Sequence, residues 1–94
     1  MTEHTFKELV KKIYDEAIVV YRQQRFVDEW RIKSYKAAEL ADQIEKGQQP
    51  LPEGETLEKL KQEAARLKRR HEDEFAEEKR RRDVFIALCR RLMK

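Results

Sequence analysis

The residues of this chain best suited to chemistry are His71 and Cys89. His71 stands in 70-RHEDEF-75, a run with the donor types of a metal site, imidazole nitrogen and carboxylate oxygen. The spacing works against that role. On a helix Glu72 and Asp73 point away from His71, and only Glu74, three residues on, shares its face. A carboxylate-bridged metal pair in a helical bundle uses Glu-x-x-His, and Lys68 stands where that glutamate belongs. The expectation is therefore no metal, with His71 a seam histidine bonded to a neighbouring carboxylate. Cys89 would need an adjacent base to act as a nucleophile, and neither His4 nor His71 is expected beside it. It reads as a buried structural thiol. Ser34 lacks a Gly-x-Ser-x-Gly context, and no glycine-rich loop is present to cradle a phosphate. The expected protein is not an enzyme and carries no cofactor.

What must position these residues is almost wholly helical. The chain has 94 residues, one domain at most, and is 44% charged with only two glycines and two prolines. Periodic apolar residues, 39% of the total, argue against disorder. The one cysteine excludes an internal disulfide and fits a cytoplasmic location. The N-terminal MTEHTFKELVKK lacks the apolar core of a signal peptide, and no run is long enough to span a membrane.

From Thr5 to Lys46 there is no Gly or Pro. The box 5-TFKE-8 marks a helix start, with Thr5 as cap, and Gly47 marks its end. All four Gly and Pro residues fall in 47-GQQPLPEG-54, so residues 47–55 form a loop. A second helix runs from about Leu57, capped by Glu55 or Thr56, with Arg90, Arg91 and Lys94 suiting the negative end of its dipole. Its inner stripe is expected to run through Leu60, Ala64, Leu67, His71, Phe75, Glu78, Arg82, Ile86, Cys89 and Met93, with an eleven-residue repeat and nearly straight or slightly right-handed winding. Folding the chain at residue 51 sets residue i against about 102 minus i, which brings apolar stretches together and lays 22-RQQR-25 against 77-EEKRRR-82. The expected fold is all-α: a long antiparallel helical hairpin, helices roughly 5–46 and 56–93, in a single domain spanning 1–94.

Two helices bury one stripe each, and this chain offers more. Phe6, Val10, Ile13, Tyr14, Ala17, Val20 and Tyr21 make a broad face, while Ile18 and Val19 point elsewhere. Phe85, Leu88 and Leu92 widen the second helix in the same way. A helix apolar around most of its girth is normally covered on most sides. Either a break near residues 22–25 makes a third helix, or another chain covers the surplus, through Phe6, Val10, Ile13, Tyr14, Ile18, Val19, Tyr21, Phe85, Leu88 and Leu92. With no Gly or Pro at the break, the second is preferred, as a homodimer forming a four-helix bundle. The function this implies is a small protein–protein interaction module (an adaptor, inhibitor or assembly factor) that binds itself and another protein but no membrane.

The alternative is a basic nucleic-acid-binding accessory protein. Residues 1–50 balance nine basic against nine acidic side chains, whereas residues 79–94 hold Asp83 alone against seven cations. Arg66, Arg69, Arg80, Arg81, Arg82, Arg90 and Arg91 would supply the phosphate contacts.

Overall fold

The computed structural model describes residues 2–93. Two helices, α1 (Glu3–Glu45) and α2 (Leu57–Met93), pack along their length as an antiparallel hairpin, with no strands among the described residues. The rod measures 67 × 17 × 16 Å. At 1.5 Å per residue, the 43 residues of α1 account for that length. Residues 22–25 lie inside the unbroken α1, so the three-helix alternative does not occur. Nothing in Arg-Gln-Gln-Arg removes a backbone donor or demands an unusual dihedral, and the i to i−4 ladder runs through it.

The helix ends follow local rules. The first cap lies three residues before the expected one: Thr2 is the N-cap, and its hydroxyl accepts from Thr5 N at 3.2 Å. Thr5 is itself helical, and Glu8 bonds His4 at 3.0 Å rather than reaching back to it. At the other end Gly47 takes φ +74°, which L-residues rarely adopt. That turn sends Gly47 N to Ile44 O (3.1 Å) and Gln48 N to Gln43 O (2.8 Å), closing off carbonyls the helix leaves open. Thr56, rather than Glu55, caps α2, accepting from Lys59 N at 3.1 Å. Lys94 lies outside the described residues.

The interhelical seam is where the structure departs most from expectation. In α1 the shielded residues include one continuous row, Leu9, Ile13, Glu16, Val20, Gln23, Val27, Trp30, Ser34, Ala37, Ala41 and Ile44, spaced alternately four and three, with Ala17, Val19, Leu40 and Gln43 half-buried beside it. In α2 the corresponding row is Leu57, Leu60, Ala64, Leu67, His71, Glu74, Glu78, Arg81, Phe85, Leu88 and Leu92, spaced three and four, with Glu77 and Cys89 half-buried beside it. Both series repeat every seven residues, not eleven. The expected α2 stripe departs from this after His71: Phe75, Arg82, Ile86 and Met93 are exposed, while Glu74, Arg81, Phe85 and Leu92 take their places. A seven-residue repeat keeps one seam facing its partner when helices wind gently left-handed, and the nearly straight winding expected of an eleven-residue repeat loses its basis. The pairing register does hold. Contacts of Gln23 with Glu74, Gln24 with Glu78 and Glu45 with Lys61 straddle the rule that residue i meets about 102 minus i.

This seam shields little. Leu9, Val20, Val27 and Ala41 are the buried apolar side chains, Glu78 is the buried charged one, and no described side chain is completely enclosed. Replacing Val20 with Ala should cost about 2 kcal/mol, two methyls plus the cavity they leave. Ile32→Ala, at an exposed site, should cost under about 0.5 kcal/mol. Urea unfolding of the two variants checks this, and equal costs would contradict the seam as described.

Candidate interaction site

At its waist the hairpin is held by polar groups. Gln23 Nε2 donates to Glu74 Oε2 at 2.6 Å and to the Glu74 carbonyl at 3.2 Å. Gln24 Nε2 donates to Glu78 Oε1 at 3.3 Å, and the Arg82 guanidinium lies 3.8 Å from the same oxygen. Glu78 is only 4% exposed, so these contacts are what allows its carboxylate on the seam. Glu16, seven residues before Gln23, keeps Oε2 shielded without a hydrogen-bond partner. Towards the loop, the Trp30 ring carries Lys33 Nζ at 4.6 Å and Arg70 Cζ at 5.1 Å, two cation–π contacts.

Outside the seam the surface is strongly apolar in places. Of the ten residues expected to meet another chain, Phe6, Val10, Tyr14, Ile18 and Tyr21 are exposed, Tyr14 by 68% and Tyr21 by 61%. Ile13, Phe85, Leu88 and Leu92 belong to the seam, and Val19 is half-buried beside it. On α2 the free apolar surface is instead Phe75, Val84, Ile86 and Met93. Sequence reasoning had put three of these four on the seam; the phase of the seven-residue repeat was the signal that separates them.

Two open grooves lie between the helices. One, about 550 Å³, has a floor of small residues, Ser34, Ala38, Ala64 and Ala65, edged by Arg31, Tyr35, Lys68, His71 and Glu72. The other, about 370 Å³, continues it towards the waist past Val27, Phe75 and Arg82. His71 sits half-buried on the seam with its ring 6.4 Å from that of Phe75. Cys89, half-buried, is eighteen residues further along α2, about 27 Å away. The two most reactive side chains are therefore not neighbours.

The arginines of the basic alternative are mostly engaged. Arg66 bonds Glu63 at 2.9 Å, Arg80 and Arg81 both bond Glu77, and Arg82 lies near Glu78. Arg69, Arg90 and Arg91 are exposed. Four of the seven thus face carboxylates, which weakens a continuous strip for phosphates. Among the described residues no helix is long and apolar enough to cross a membrane. No protein-family model matches the chain, and no match was found among curated proteins or solved structures.

These ion pairs have a pH signature. Hydrogen bonds from Arg66 hold the Glu63 carboxyl below its ordinary 4.5, and those from Arg80, with help from Arg81, do the same for Glu77. A carboxyl depressed on folding adds stability above its unfolded pKa and loses it as pH falls through the folded value. The unfolding temperature should therefore drop as pH falls below about 4.5, and the drop should be shallower in Arg66→Gln/Arg80→Gln. Both pairs are exposed, so 1 M salt should shrink the difference. An unchanged acid slope in the double variant would contradict this assignment.

Proposed function

We propose that this chain is a non-enzymatic protein–protein interaction module (an adaptor, inhibitor or assembly factor) that works in the cytoplasm as a dimeric four-helix bundle. The observation that carries this reading is the surplus of surface. The chain exposes 7649 Å², whereas a compact monomer of 11.4 kDa exposes about 5,800 Å². The excess, roughly 1,900 Å² per chain, falls within what each partner buries in an obligate homodimer, about 1,000 to 2,500 Å². The excess is apolar where it matters: Val10, Tyr14, Ile18 and Tyr21 form exposed rows on α1, with Ile86 and Met93 exposed at the same end of α2. Contiguous exposed apolar surface of this kind is characteristic of association sites. A second hairpin covers it with the least new structure, since two hairpins side by side make a four-helix bundle.

Sedimentation equilibrium at micromolar concentration should give twice the 11.4 kDa chain mass. Tyr14→Glu with Ile18→Glu should weaken self-association at least tenfold, about 1.4 kcal/mol. A wild-type chain that sediments as a monomer would overturn the reading.

A further inference from the structure

The two grooves share Arg31 and His71, so they lie on one side of the hairpin. Positions seven apart keep the same side when the seam itself repeats every seven residues. Stepping back in sevens along α1, Arg31 leads through Gln24 and Ala17 to Val10, and Asp28 leads through Tyr21 to Tyr14. Stepping forward along α2, Glu72 leads through Lys79 and Ile86 to Met93, and Phe75 leads through Arg82 to Cys89. One side therefore carries an apolar half near the chain termini and a small-residue groove near the loop.

Resting on the dimer reading above, we propose that this side binds the same side of a second copy, with the two hairpins parallel and the dyad along their length. Each α1 then lies over the partner's α2. Such a dyad leaves every residue at its own height, so the register within the hairpin also sets the register between chains. Val10 meets the partner's Met93, Tyr14 the partner's Cys89, and Ala17 the partner's Ile86. Beyond the waist Arg31 meets the partner's Glu72, and Asp42 meets the partner's Lys61. Tyr21 and Tyr35 face the partner's Arg82 and the partner's Lys68, cations that can sit over their rings. Ala38 meets the partner's Ala65, and these small side chains let the grooves close on each other.

Along about 48 Å of helix at 1.5 Å per residue, apolar residues meet apolar ones and opposite charges meet at both ends, and the mismatches are confined to the waist, where Asp28 lies against the partner's Phe75 and Gln24 against the partner's Lys79. The crossed alternative, with antiparallel hairpins and the dyad through the waist, fits worse. It sets Ala17 against the partner's Arg31, Ile86 against the partner's Glu72, and Lys79 near the partner's Lys79. Like charges and buried unpaired ones disfavour that docking.

Mixed-chain crosslinking tests the arrangement. One chain carries Tyr14→Cys and Cys89→Ser; the other is wild type, with Cys89 its one thiol. Under mild oxidation or a short bis-maleimide, the mixture should give a crosslinked dimer that neither chain gives alone. A second pair, Ala38→Cys/Cys89→Ser with Ala65→Cys/Cys89→Ser, should behave the same way at the loop end. A link in the Tyr14→Cys/Cys89→Ser chain alone would overturn the parallel arrangement. So would the absence of mixed links at both pairs while sedimentation still shows dimers. A monomer in sedimentation would overturn the dimer reading beneath it as well.

Discussion

Two helices packed against each other can each hide one stripe, and every other property of this molecule follows from how little that hides. The hairpin has a radius of gyration of 20.5 Å, against about 12 Å for a compact chain of this length. Its interior is a single line of side chains, with four buried apolar residues and one buried carboxylate among the described residues. Ordering a residue costs roughly 1 to 2 kcal/mol of backbone entropy, and a core one side chain thick offsets that poorly. The exposed apolar rows near the termini are the remaining source of burial, and they are usable only by a second surface.

The middle of the seam adds a second constraint. Where Gln23 and Gln24 meet Glu74 and Glu78, hydrogen bonds replace apolar contact. A buried polar layer adds little net stability compared with leucines, because each group gives up its water. It does single out one alignment. Sliding either helix by one turn would leave Glu78 shielded without Gln24, a penalty on the order of 1 to 3 kcal/mol. The register so fixed is the one that places Tyr14 level with Cys89 and Arg31 level with Glu72, so the waist organises the outer surface as well as the seam.

Helix count, loop and pairing register were legible in the sequence because each has a strong local cause. Gly and Pro are confined to one stretch, and no breaker interrupts residues 5–46. The phase of the α2 seam was not legible. Phe75 and Ile86 look like core residues, yet Glu74 and Phe85 beside them are the shielded ones. Apolar residues on a flank and polar residues on a seam invert the usual pattern, and α1 does the same with Glu16, Gln23 and Ser34 inside but Tyr14 and Tyr21 outside. The proposed dimer would give both inversions one physical origin, since a chain that docks through its flank must carry apolar residues there. Of the α1 residues expected to meet another chain, Phe6, Val10, Tyr14, Ile18 and Tyr21 are exposed while Ile13 belongs to the seam and Val19 is half-buried, and the exposure of Ile86 and Met93 follows only from the seven-residue phase.

Small-angle X-ray scattering separates a side-by-side dimer from a lone hairpin, because it reads mass and length together. A side-by-side dimer predicts a forward-scattering mass twice 11.4 kDa, with a maximum dimension close to that of one hairpin, whose long axis is 67 Å. A mass of one chain at that same length would contradict the account.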